Sequence, residues 1–135
     1  MRSTHAAVAR AGHAARPGDR VTLDGWGSDQ PDGDTSNLPT RLQQLNTRVL
    51  PAAGCADAQQ SVGEICTDNP HGTDGPGGGD SGGPAVEAVG GVPQLVGTCS
   101  RAAAQYPGEA PTVHTSSPDF RSWLYDTARG IPAAA

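Results

Sequence analysis

Residues 77–84 read Gly77-Gly78-Gly79-Asp80-Ser81-Gly82-Gly83-Pro84. A serine between glycines, preceded by an aspartate, is the pattern of a nucleophile set in an exposed turn. Glycine supplies the backbone freedom such a turn needs and leaves the hydroxyl uncovered. As a bare string, residues 79–83 satisfy G-x-S-x-G, the nucleophile elbow between a strand and a helix. That elbow requires an acid and then a histidine downstream. Here a glycine run precedes Ser81, Pro84 and a β-type segment follow it, and the last histidine, His114, comes before Asp119. The elbow reading fails on order and on context.

Composition bounds what can surround this loop. At 135 residues the chain has the length of one domain. Val 9, Leu 7, Ile 2 and Phe 1 sum to only 19 large core formers, while Gly 19 and Pro 12 favour short strands and turns over long helices. A chain so poor in large apolar residues either has disordered parts or lacks a surface it was built to pack against. Net charge of −5 and a pI near 5.1 argue against nucleic acid or an anionic membrane as partner. No apolar run approaches the roughly 18 residues of a membrane span. All nine basic residues are arginine. No CxxC or HxxxH spacing supports a metal site, and no cofactor is implied. Cys55 and Cys66 are close enough to close a short loop, a bridge worth about 3 kcal/mol in an oxidising compartment. Cys99 is then either a buried thiol or a site of pairing to another chain.

Outward from the serine, PAVEAV (84–89), Gly90-Gly91 and VPQLVGTCS (92–100) read as a hairpin, since two glycines suit its tight turn. Upstream, RVTLDGWG (20–27) alternates Val21 and Leu23 with polar residues, and GEICT (63–67) is another short strand. Residues 41–50 place Leu45, Thr47 and Val49 on one face of a strand, although the Leu42 and Leu45 spacing also suits a helix. APTVHT (110–115) is a further strand. Residues 1–19 read as a linker or disordered N-terminus, 20–130 as the folded unit and 131–135 as a tail, with 28–39 a surface loop. Ser117 as cap, Pro118 at the first position and the spacing of Phe120, Trp123 and Leu124 predict a helix over 118–129. Gly130 and Pro132 stop it, and its aromatic face is expected to dock on the β domain.

The longer string GDSGGP (79–84) resembles the serine loop of the chymotrypsin/trypsin family of serine proteases, and the match continues along the chain. Gly25-Trp26-Gly27 is similar to the family's GWG. Leu38-Pro39, Val49-Leu50-Pro51, Cys55 and Ile65-Cys66 follow in its order. Leu95-Val96-Gly97 with Ser100 and Pro111-Thr112-Val113-His114-Thr115 resemble the two walls of its specificity pocket, and Trp123 lies in its terminal helix. The resemblance covers roughly residues 17–129. It implies an all-β fold, a single six-stranded antiparallel Greek-key barrel corresponding to the family's second barrel, with a short C-terminal α-helix.

It further implies a serine endopeptidase acting through an acyl-enzyme on Ser81, with the N–H groups of Gly79 and Ser81 as oxyanion donors. Substrate contacts fall to Gly75, Ser100, Ala102, Thr112 and His114. The family's catalytic histidine and aspartate belong to the first barrel. This chain is therefore expected to be a truncated or split half, nearly inactive alone, with a separate chain as one possible source of the first barrel. Peptides or proteins are the implied substrates and secretion the implied location. The other reading is a non-catalytic peptide-binding module with a vestigial serine loop. None of His5, His13, His71 or His114 reads as a substitute base: the first two have no evident positioning partner, His71 is a solvated loop residue, and His114 a buried polar residue with a local partner. Asp80, whose family counterpart pairs with an N-terminal ammonium, is expected to be solvated or unpaired, with loop 68–80 disordered or zymogen-like.

Two departures from the family stand out. Gly77 occupies a cysteine position whose partner is also absent. Arg101 replaces the aromatic that follows the pocket-wall serine. Specificity has three competing signals: Asp74 beside Gly75 for basic residues, Thr112 for small ones, and His114 for acidic ones.

Overall fold

In the computed structural model, which describes residues 7–10, 12–106 and 108–130, the alternating stretches become strands. β1 is Ala7–Val8, β2 Arg20–Gly25, β3 Gln43–Leu50, β4 Glu64–Thr67, β5 Pro84–Val89, β6 Val92–Ala102 and β7 Thr112–Ser116. On β2, Val21 and Leu23 point inward; on β3, Thr47 and Val49 are buried and Leu45 partly so. That period of two decides β3 as a strand and excludes the helical alternative.

β2 pairs antiparallel with β3 from Arg20↔Arg48 to Gly25↔Gln43, and β3 continues to β4, β4 to β7 and β7 to β6. β6 pairs with β5 and β5 returns to β2, so β2 to β7 close a six-stranded antiparallel barrel. β5 lies beside β2 after the β2-β3-β4 succession, which is Greek-key order. The β5–β6 hairpin turns through Gly90 and Gly91 at φ +58° and +79°, the positive pair that a tight two-residue connection needs.

The barrel core is built from modest side chains: Val21, Leu23, Val49, Ile65, Ala85 and Val96 form one cluster, joined by Ala9 and Ala15. Those two alanines come from the segment read as linker. Its β1 adds in parallel to β6, Ala7↔Gln94 and Val8↔Leu95, and the Ala9 N–H donates to Leu95 O at 3.0 Å. A second cluster gathers Cys55, Ala58, Cys66 and Val113 around a disulfide whose Cα atoms are 5.8 Å apart. It ties the 3₁₀ turn Ala52–Cys55 to β4.

The helix departs from expectation. α1 runs Arg121–Ala128 with Phe120 at the cap position and no side-chain cap. Ser117 does not cap it because that residue still belongs to the barrel, its N–H donating to Val96 O at 3.1 Å. Nor does the helix bury an aromatic face. It has no buried residue, and Trp123 is 53% exposed. Arg121 instead stacks over the Tyr125 ring at 4.4 Å. Gly130, at φ +73°, follows the last turn as read from sequence. His5 and the tail 131–135, including Pro132, lie outside the described residues.

Candidate active site

The serine sits in a four-residue turn. Gly83 N–H donates to Asp80 O at 2.9 Å, and Gly82 at φ +82° supplies the positive third position of a type II turn. Two further bonds staple this turn to β6: Gly82 N–H to Cys99 O and Cys99 N–H to Gly83 O, both 2.9 Å. Ser81 is thereby held exposed on a fixed support. Among the described residues its hydroxyl makes no hydrogen bond, and the N–H groups of Gly79 and Ser81 donate to no acceptor. Gly79 has φ +104°, and a β-carbon there would lie 3.1 Å from Gly27 Cα, so a larger residue is disfavoured both by backbone strain and by crowding.

Asp80 has no cationic partner among the described residues, but it is not left bare: backbone amides take the place the sequence reading left empty. Its Oδ1 accepts from Gly27 N–H at 2.7 Å and its Oδ2 from Gly77 N–H at 2.9 Å. Two backbone amides supply the neutral donors that a partly buried carboxylate needs. This contact also accounts for the GWG motif. A β-carbon on Gly25 or on Gly27 would fall inside the Asp80 carboxyl group, while Trp26 between them faces outward, 56% exposed. Loop 68–80 is anchored at several points: Thr47 Oγ1 donates to Asp68 O at 2.6 Å, Asn69 Nδ2 to Gly108 O, and Ser28 N–H to Gly78 O at 2.8 Å.

Beside Asp80 lies a cavity of about 360 Å³ whose walls include Leu23, Leu45, Gly75, Cys99 and His114. Of the proposed pocket residues, Gly75 and His114 line it and Ser100, Ala102 and Thr112 do not. Ser100 is exposed on β6, and Ala102 pairs across the sheet with buried Thr112. His114 is 1% exposed, and its Nε2 meets Thr67 Oγ1 at 2.9 Å. Burial lowers its pKa to about 4, so it is neutral at physiological pH. Cys99 is a free thiol pushed up to about 11 by burial and then by the charge of Asp80, so almost none of it is thiolate at neutral pH.

The remaining imidazoles are engaged elsewhere. His71 is 81% exposed and pairs with Asp74. Burial alone would raise the Asp74 carboxyl, but the His71 backbone N–H, side chain and charge together leave it lowered. His13 does have a partner that the sequence did not reveal: its Nε2 lies 3.2 Å from Glu87 Oε2. Among the described residues, neither of these nor His114 bonds to Ser81.

Arg101, a departure without an evident purpose in the sequence, proves to be a clamp. Its Nη1 and Nη2 donate to Glu64 Oε1 and Oε2 at 2.6 and 2.9 Å. Nε and Nη2 also reach Ala58 O and Gln59 O at 2.8 and 2.9 Å. This bidentate pair, chiefly, holds the Glu64 carboxyl at about 2. No pattern short of the barrel register signals it, because the partners lie on different strands. Among the described residues no group of three His, Cys, Asp or Glu side chains is placed to hold a metal ion.

Comparison with known proteins agrees with this geometry. The sequence model of the family described as Trypsin matches residues 2–124. A fibrinolytic enzyme, isozyme C, from Lumbricus rubellus is 33% identical over 123 residues, which covers 83% of this chain and 49% of that protein. A CLIP domain-containing serine protease B14 from Anopheles gambiae is 31% identical over 137 residues, covering 90% of this chain and 35% of that protein. The chain thus spans half or less of the length of these relatives. A closed barrel, a stapled GDSGGP turn and a family match over nearly the whole sequence converge on one conclusion: the chain belongs to the trypsin family of serine proteases.

Proposed function

We propose that this chain carries the nucleophile and oxyanion donors of a serine endopeptidase. The observation that carries the reading is the turn at Ser81, exposed and stapled to β6, with the N–H groups of Gly79 and Ser81 committed to no acceptor among the described residues. In peptide hydrolysis the Ser81 Oγ attacks the scissile carbonyl carbon and a base takes its proton. The carbonyl oxygen becomes the anion that the two N–H groups receive, and the amine leaves with a proton from the same base. Asp80 holds the turn from below through Gly27 and Gly77.

The general base and its orienting acid are supplied by a first barrel outside these 135 residues, whether on the same chain or a separate one. The engagement of His13, His71 and His114 with other groups supports this. The cavity beside Asp80, with Leu23 and Leu45 in its wall, suits a new amino terminus whose ammonium meets the carboxylate. Substrates are peptides or proteins with an uncharged residue before the cleaved bond. Asp74 is occupied by His71, Gly75 packs against Gly108, and His114 is neutral, which disfavours both charged classes. The Cys55–Cys66 bridge fits a secreted protein.

The test is labelling of residues 1–135 by a fluorophosphonate probe, with Ser81→Ala as control. Slow, weak labelling of the chain alone, raised by orders of magnitude when a first barrel is added, is the expected result. Fast stoichiometric labelling of the chain alone would refute the missing-base reading. No Ser81-dependent labelling even with a first barrel would refute the nucleophile.

A further inference from the structure

On the outer face of the β2–β3 ladder, three polar pairs lie opposite each other: Arg20 with Arg48, Thr22 with Asn46, and Asp24 with Gln44. Two of them close on themselves. Thr22 Oγ1 donates to Asn46 Oδ1 and Gln44 Nε2 to Asp24 Oδ1, both at 2.9 Å. The third pair sets two guanidinium groups against each other, and like charges directly opposite on a sheet repel. Among the described residues, neither arginine has a carboxylate within 4.0 Å, although the chain has 14 acidic residues.

The same two arginines line a hollow of about 520 Å³, with Val86 and Ala88 of β5 on one side and Asp68 and Pro70 on the other. Asp68 is the one acid among the described lining residues, and its Oδ1 already accepts from the Asn69 N–H at 3.0 Å. An excess of unpaired guanidinium beside small apolar side chains is suited to a carboxylate on a short aliphatic stem, since arginine presents a fork that matches a carboxylate. A long polyanion would meet the chain's net charge of −5, so the fitting ligand is short.

We propose that the Arg20–Arg48 hollow is a docking site for a short acidic peptide segment of a protein partner, separate from the serine turn. Ala88 lies four residues along β5 from Pro84, about 14 Å at strand rise. A segment bound there reaches the serine only through several intervening residues.

Fluorescence anisotropy of a labelled, end-blocked tetraglutamate peptide titrated with the 135-residue chain reads this directly. Saturable binding is expected, weakened about tenfold by Arg20→Gln or Arg48→Gln and less by Arg20→Lys. Raising salt from about 0.01 to 0.15 M weakens it too, as screening shortens from about 30 to 8 Å. In the unaltered chain, amide NMR shifts on adding peptide centre on Asn46, Arg48, Val86 and Ala88. Absence of saturation, shifts centred elsewhere, or undiminished binding in both glutamine variants overturns the proposal. Tighter binding of a sulfated oligosaccharide than of the peptide overturns the assignment to an acidic peptide.

Discussion

The Gly27 N–H and the Asp80 carboxylate, 53 residues apart in sequence, meet at 2.7 Å. That bond joins the GWG stretch to the serine turn. It makes the two most recognisable motifs of the chain one structural unit, because the glycines leave the space that the carboxylate fills.

Gly25→Ala and Gly27→Ala should therefore each destabilise the chain by about 1–3 kcal/mol, the usual cost of forcing a group into occupied space. Thermal unfolding of each variant measures it. Adding Asp80→Ala to Gly25→Ala should recover part of the loss, since it removes the clashing group. If the double variant loses the full sum of both single effects, the contact does not explain the glycines.

Arg101→Met should cost stability through Glu64. The Glu64 pKa falls from 4.5 to about 2, so the unfolded chain binds this proton first as pH drops. The associated stability is complete above about pH 4.5 and is lost as pH falls toward 2. After discounting for the 38% exposure of Arg101, it amounts to about 1–2 kcal/mol. Denaturant midpoints across that window should fall in the native chain and fall less in the variant.

His114 has the higher window. Its folded pKa of about 4 lies below the ordinary 6.5, so the unfolded state takes up the proton between these values and the folded state does not. Stability is full above pH 6.5, declines as pH falls to about 4 and then levels. The total is on the order of 2–3 kcal/mol. His114→Gln should flatten this segment of the stability profile while leaving the Glu64 segment in place. NMR titration of the His114 ring provides an independent check.

Cys55→Ser with Cys66→Ser should lower stability by about 3 kcal/mol, because the bridge restricts the unfolded chain. Cys99 should behave differently. With its thiol near 11, alkylation by iodoacetamide at neutral pH should be slow in the folded chain and fast in denaturant. Rapid alkylation of the native protein would show that the thiol is not held as described.

Much of the architecture was legible in residues 20–130 because its signals are local. Val21 and Leu23, or Thr47 and Val49, alternate with polar neighbours at the period of a strand, and Gly90-Gly91 fits a tight turn wherever it occurs. The family resemblance of GDSGGP is likewise a property of contiguous residues. Only the tertiary structure decided the partners of Asp80, the clamp of Arg101 on Glu64 and the burial of Ala9 and Ala15. A backbone amide carries no sequence signature as a hydrogen-bond donor, since nearly every residue has one. A lone alanine carries no periodic hydrophobic signal. Ser117 looked like a helix cap on its own, but its N–H was already committed to Val96 O across the barrel. Where local chemistry admits several partners, barrel closure decides among them by setting which groups come within hydrogen-bonding distance.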